Sequence, residues 1–209
     1  MAGTVLLSTA YFPPAKYFSL IAGAGAAHIE KWENYHKQTY RNRCIILGAN
    51  GPLDLIVPVL RGSFHKTPVR DIEIDSSRRW RELHLRGIMS AYATAPYFEF
   101  YIDIIREVIT GDFRYLIDLN ETALNAMLDA IGIDIPVSFT EEFTGEGMSE
   151  ADYRYTITPK KNEETVNKES FSYTQVFSDR YGFVPRLSII DLLLNNGPET
   201  RALLLRSPA

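Results

Sequence analysis

Pro13-Pro14, coming directly after the apolar run Val5 to Ala10, is the tightest constraint on how this chain begins. Proline fixes its own φ and lacks the N–H that a sheet ladder needs, so a strand reaching it must stop. Val5 to Ala10 therefore reads as a short buried strand closed by a stiff turn. Tyr17, Phe18, Leu20 and Ile21 then fall on one helical face, and the Gly23–Gly25 pair ends it. Ala26 to Ile29 reads as a second strand, parallel to the first if the helix is a crossover. Such an opening sets polar side chains at strand ends, where a rigid sheet can hold them for chemistry.

Glu30 to Gln38 is polar and aromatic, a helical turn or an irregular loop. Thr39 to Leu47 is strand-like, with Arg41 and Arg43 on one face and Tyr40, Asn42 and Cys44 on the other. Ala49-Asn50-Gly51-Pro52 signals a turn before the apolar Leu53 to Leu60, which predicts a hairpin over Arg41–Leu60. Val69 to Ile74 alternates imperfectly and is expected as a further strand. Trp80, Leu83, His84, Gly87, Ile88, Ala91 and Tyr92 recur at helical spacing. Pro96 opens another helix that closes at Gly111. Asn120 is expected to cap a third, with Gly132 as its stop. Ile133 to Phe139 returns to strand character. Thr144 to Lys168 is polar and expected as a mobile loop. Leu187 to Leu194 reads as a short helix, and the apolar Ala202 to Leu205 should dock on the body. The expected fold is a single α/β domain over residues 1–209, a mixed sheet with flanking helices.

A chain of 209 residues with 45% hydrophobic content can bury a core without staples. Its net charge of −4 argues against nucleic acid as the main partner. The one cysteine excludes an intrachain disulfide framework or a multi-cysteine metal centre. Met1-Ala2-Gly3-Thr4 lacks the charged flank of a signal peptide. Ser19 to Ile29 is too short and too rich in Gly and Ala to span a bilayer. The expectation is a soluble cytoplasmic protein with no membrane span and no metal; no motif names a cofactor, a donor or an oligomeric state.

Motifs along nearly the whole chain carry a resemblance. They are Tyr11-Phe12-Pro13 with Tyr17-Phe18, Arg41-Asn42-Arg43, Leu55-Ile56-Val57-Pro58-Val59, Thr67-Pro68, Trp80 with His84, Ser90-Ala91-Tyr92 and Pro96-Tyr97-Phe98. Ile131-Gly132-Ile133, Phe177, Gly182-Phe183 and Leu187-Ser188-Ile189-Ile190-Asp191-Leu192-Leu193 complete the set. On these the sequence resembles the WbqC-like family of bacterial proteins. It departs where that family more often has Gln-Pro before the first Tyr and Gly before the second Tyr-Phe pair; here stand Ser8-Thr9-Ala10 and Lys16. The resemblance implies a setting in O-antigen and other surface-polysaccharide biosynthesis, where transfer of glycine or another aminoacyl group to a sugar has been proposed. It implies no settled catalytic residues.

His84 is either a core histidine satisfied by main chain or the general base that deprotonates an attacking amine or hydroxyl. Arg41 and Arg43 either pair with surface acids or form a fork for a carboxylate or phosphate. Asn42 and Tyr40 point to the other face, and Asn42 either satisfies buried backbone or, with Tyr11 and Tyr40, binds and orients a substrate. His36 is a solvated loop histidine unless it meets His84 in one cleft. Tyr11 and Tyr17 are pocket walls or plain core. Cys44 lies in an apolar run and reads as an inert buried thiol ahead of a nucleophile. His28 and His65 have no partner set by spacing. Two functions follow: a transferase moving an aminoacyl or acyl group onto a sugar or nucleotide-sugar, or a non-catalytic protein that binds a glycan intermediate or a partner. The expected site is a hollow shared by Arg41, Arg43 and His84.

Overall fold

The computed structural model describes residues 3–60, 67–145, 151–159 and 172–206. The opening is as its residues dictate: β1 (Thr4–Ser8), α1 (Ala15–Gly23) and β2 (Ala26–Glu30) follow in order. β1 and β2 pair in parallel from Thr4↔Ala26 to Ser8↔Glu30. The hairpin forms β3 (Arg43–Gly48) and β4 (Gly51–Ile56), antiparallel from Arg43↔Ile56 to Gly48↔Gly51. Three helices follow, α2 (Trp80–Tyr92), α3 (Phe98–Thr110) and α4 (Leu116–Ile131), then β5 (Val137–Phe139). The C-terminal part carries the short α5 (Ser178–Tyr181), then α6 (Ile189–Asn196) and α7 (Thr200–Arg206).

The architecture is α/β, with parallel and antiparallel pairing divided between two sheets. β5 adds in parallel to β2, giving the order β1-β2-β5, while β3 and β4 form a sheet of their own. Because β1, β2 and β5 are parallel, their carboxyl ends lie along one edge, the edge at which α/β proteins place ligands. Val69–Ile74 does not form the expected strand. Pro68 leads into a single 3-10 turn, Val69–Asp71, and only isolated bridges, Glu73↔Tyr115 and Val59↔Ile74, remain of it.

The core joins both ends of the chain. Leu7, Phe18 and Ile21 lie in one buried cluster with Ile46, Ile88, Ile105, Met127, Leu192 and Leu204. Burying such side chains stabilises a fold by about 1.5–3 kcal/mol each, against the entropy of ordering them. Gly87 lets α2 close on the hairpin, since a Cβ there would stand 3.3 Å from Leu55 Cδ2. Gly132 ends α4 in the left-handed region at φ 76°, where its N–H reaches back to the helix carbonyls of Asp129 and Leu128.

One expectation about the second half changes. Asn120 does not cap α4: the helix begins at Leu116, and Asn120 is fully inside it and buried. Within the segment expected as a mobile loop, residues 146–150 and 160–168 lie outside the described residues. Residues 151–153 meet β1 at one isolated parallel bridge, Leu6↔Asp152, with Leu6 N–H donating to Ala151 O at 2.9 Å and Tyr153 N–H to Leu6 O at 2.9 Å. Arg154 follows, buried, with a two-pronged bond to Asp152 and a further 3.3 Å bond to Glu30. Among the described residues no helix is long and apolar enough to cross a membrane.

Candidate functional site

The loop after β1, residues 9–14, is held on three sides. Tyr11 N–H donates to Tyr40 O at 2.8 Å, Ser188 Oγ to Phe12 O at 2.7 Å and Ile189 N–H to Pro13 O at 2.9 Å. Phe12 sits at φ 39°, a conformation a bulky residue adopts only when its surroundings impose it. The rigid loop presents side chains to two places. Tyr11 turns into the core, and Thr9 and Ala10 face the carboxyl edge of the sheet.

On the core side, the Tyr11 hydroxyl lies 3.0 Å from His84 Nδ1, and His84 Nε2 lies 3.1 Å from Ile56 O. A carbonyl only accepts, so Nε2 carries the proton and Nδ1 accepts from Tyr11. Both nitrogens are used and the ring is only 3% exposed, packed against Trp80 and Tyr11. Burial pushes its pKa down to about 4. Of the two alternatives for His84, this geometry matches the core histidine satisfied within the chain.

Of the two alternatives for Arg41 and Arg43, the structure shows both paired with acids of the chain. β3 begins only at Arg43, so Arg41 precedes the strand and the expected alternation does not reach it. Arg41 is buried, with Nε donating to Glu33 Oε1 at 3.0 Å and Nη2 to Glu33 Oε2 at 2.5 Å and to Ser8 Oγ at 2.8 Å. Its fork is filled by a carboxylate of its own chain. Arg43 pairs across the hairpin with Asp54 at 3.4 Å. Asn42 exchanges bonds with Val57: its Nδ2 donates to Val57 O at 2.9 Å, and Val57 N–H donates to its backbone oxygen. Tyr40 is buried, and its hydroxyl lies 3.5 Å from Arg186 O. His36 is exposed beside Tyr155 and does not join His84. Cys44 is fully buried, and burial pushes its thiol pKa up, away from a thiolate nucleophile. His65 lies outside the described residues.

What the carboxyl edge does hold is a cleft of about 100 Å³. Thr9, Ala10 and Tyr17 form one wall, β5 from Val137 to Phe139 another, and two successive turns of α4, Asn120-Glu121 and Leu124-Asn125, the third. Asn120 Nδ2 donates to Thr9 Oγ1 at 3.1 Å and to Arg41 O at 2.8 Å, whereas Asn120 Oδ1 is buried with no partner among the described residues. The Arg41 carbonyl fixes which end of the amide is which, because it can only accept. On the exposed face of β2 and β5, opposite the Ile29 side chain, Ser138 Oγ lies 2.9 Å from Nδ1 of His28. Tyr17 donates its hydroxyl to Ser8 O at 2.9 Å, and burial raises its pKa, so it stays a neutral wall. A second, much smaller hollow adjoins on the far side of Thr9, Ala10 and Tyr17, with Arg41 and Arg154 in its lining. Both guanidinium groups already hold carboxylates. Among the described residues no group of three or more His, Cys, Asp or Glu is placed to hold a metal ion.

Sequence reasoning passed over Thr9, Asn120, Ser138 and His28 as site residues. For Asn120 a signal existed: it falls on the apolar stripe of its helix, with Leu116, Leu124, Met127 and Ile131, where a buried polar group needs a reason. For His28 and Ser138 there was none, since the β2–β5 register joins residues 110 apart in sequence.

The model of the WbqC-like protein family matches residues 9–166, a span that includes Thr9, Asn120, Ser138 and His28. An uncharacterised protein of Mycobacterium tuberculosis is 27% identical, over 95% of this chain and 96% of its own length. No solved structure matches the chain.

Proposed function

The chain belongs to the WbqC-like protein family, and from that premise we propose that it is a transferase of surface-polysaccharide biosynthesis, moving an aminoacyl or acyl group (glycine among them) onto a sugar or nucleotide-sugar. The observation that carries the reading is a polar cleft at the carboxyl edge of parallel strands, with β2 and β5, which border it, also carrying an exposed Ser138 hydroxyl 2.9 Å from His28 Nδ1. An acceptor amine or hydroxyl bound at this edge attacks the carbonyl carbon of the activated acyl donor. A new C–N or C–O bond forms and the bond to the donor's carrier breaks. The acceptor's proton passes to Ser138 Oγ as the serine proton passes to His28 Nδ1, and His28 then returns a proton to the leaving group. These residues take the role that sequence reasoning gave to His84.

A second reading, a non-catalytic protein that holds a glycan intermediate, is favoured by a separate observation. The buried ionisable side chains Glu30, Glu33, Arg41 and Arg154 are all committed to one another or to main chain. The test is direct. The full chain is incubated with amino sugars or nucleotide-sugars and with acyl-CoA or aminoacyl donors, and the products are read by mass spectrometry. A sugar heavier by one acyl group, lost in His28→Ala and in Ser138→Ala while both variants melt as the parent does, supports the transferase. Sugar binding with no transfer from any donor supports the binder.

A further inference from the structure

We infer that Lys31 and Arg70, both set against the ring of Trp32 at the carboxyl edge of the sheet, form a binding site for a diphosphate, the group that nucleotide-sugars and coenzyme A share. The inference deepens the transferase reading, on which only the choice between those two sources rests.

Main chain fixes the place of both cations. The segment after β2 and the segment carrying the 3-10 turn lie side by side. Tyr35 N–H donates to Thr67 O at 3.0 Å, Val69 N–H to Glu33 O at 2.8 Å and Arg70 N–H to Lys31 O at 3.3 Å. Trp32 is anchored at both of its nitrogens, the backbone N–H on Glu30 Oε1 at 2.8 Å and the indole N–H on Thr140 O at 3.1 Å. The guanidinium carbon of Arg70 stands 3.6 Å from the centre of that ring. The Lys31 ammonium stands 5.8 Å from the same ring and 5.7 Å from the ring of Phe139, which lines the cleft. A row of contacts thus runs from Arg70 through Trp32 and Lys31 to the cleft wall.

These cations differ from the others in what holds them. Arg41, Arg43, Arg114 and Arg154 each have a carboxylate within 3.4 Å. Arg70 comes no nearer than 3.6 Å to the neighbouring Asp71, and its buried Nε has no hydrogen-bond partner among the described residues. The Lys31 ammonium rests on two rings. The acids beneath are committed elsewhere, Glu30 to Arg154 and Glu33 to Arg41. A ring attracts a cation through its face and takes none of its N–H donors, so stacking positions a guanidinium and leaves its fork for a ligand. A diphosphate brings two anionic groups to two cations around one ring. Both side chains are partly exposed, Arg70 at 37%, so a ligand reaches them from solvent.

The experiment uses the full chain, whose two tryptophans are Trp32 at the site and Trp80 buried in the core. Inorganic pyrophosphate, uridine diphosphate N-acetylglucosamine and coenzyme A are titrated in turn, and binding is read by indole fluorescence and calorimetry. Expected is saturable binding of pyrophosphate that weakens as salt is raised, with a fluorescence change absent from Trp32→Phe. Lys31→Gln and Arg70→Gln should each weaken binding about tenfold or more while melting as the parent does, and Arg70→Lys should keep part of it. Arg78→Gln, at an arginine already paired with Asp75, should leave binding as it was. Tighter binding of the nucleotide-sugar gives the site to the acceptor and tighter binding of coenzyme A gives it to the donor; either supports the diphosphate site. No binding of any of the three probes, parent binding indifferent to salt, or binding unchanged in both Lys31→Gln and Arg70→Gln would overturn the inference. Diphosphate binding lost in both variants, with no acyl transfer from any donor, would sink the transferase reading and leave this one standing. Transfer with the KM of nucleotide-sugar and acyl-CoA unchanged in both variants would do the reverse.

Discussion

The loop after β1 feeds two polar clusters that resemble each other in composition and differ in one respect. On the core side Tyr11, His84 and the Ile56 carbonyl form a closed set, every nitrogen of the imidazole matched. On the edge side Thr9, Asn120 and the Arg41 carbonyl form a set that is one partner short. Both are buried, and residue type would favour the histidine as the chemical group. The difference teaches that residue type alone does not tell a polar group matched within the chain from one left unmatched; only the count of donors and acceptors does.

The comparison breaks most visibly at the residue whose carbonyl belongs to the edge-side set. Arg41 holds Glu33 and lends its carbonyl to Asn120, so Arg41→Met or Glu33→Leu leaves a buried charge alone and should cost about 3–5 kcal/mol in chemical denaturation. The double variant should lose less than either single one, because it removes both charges together. A double variant no better than the singles would mean that the pair is not the source of the cost.

Acid sharpens the closed cluster next. Burial takes the His84 pKa from its ordinary 6.5 down to about 4, so the unfolded chain binds the extra proton first. The stability gained by keeping the ring neutral is whole above pH 6.5 and falls away as pH drops from 6.5 toward 4, about 3 kcal/mol at most. Denaturation midpoints across that window should fall, and His84→Gln should flatten the slope. Tyr11→Phe removes the donor to Nδ1 and should cost about 1–3 kcal/mol.

The set that is one partner short should lose less. Thr9→Val gives up one internal hydrogen bond, about 1 kcal/mol in chemical denaturation. At the small end, Arg43→Gln and His36→Ala should each change stability by about 0.5 kcal/mol or less and leave diphosphate binding unaltered. A loss of binding in either would return the site to the surface that sequence reasoning favoured.

The fold was more legible than the site, for physical reasons visible in particular residues. Pro13-Pro14 and the glycines at 23 and 25 act locally, so the β1–α1–β2 opening could be read from them. The turn signal Ala49-Asn50-Gly51-Pro52 likewise marked the hairpin, whose two turn residues are Ala49 and Asn50, and Gly132 the end of α4. Asn120 was misjudged because asparagine is a strong cap in isolation, and here tertiary contacts with Thr9 and Arg41 override that preference. Arg41 looked like a free cation because its partner Glu33 lies in an irregular stretch with no period to reveal it. His28 gains Ser138 only through strand register, which no local pattern encodes.

The indole resonances of Trp32 and the imidazole resonances of His84, followed together while uridine diphosphate N-acetylglucosamine is titrated into the full chain, test the central claim most directly. The carboxyl edge should respond: the Trp32 indole shifts and saturates with the ligand, and the His84 ring stays where it was. A ligand that moves His84 and leaves Trp32 unmoved would contradict the account.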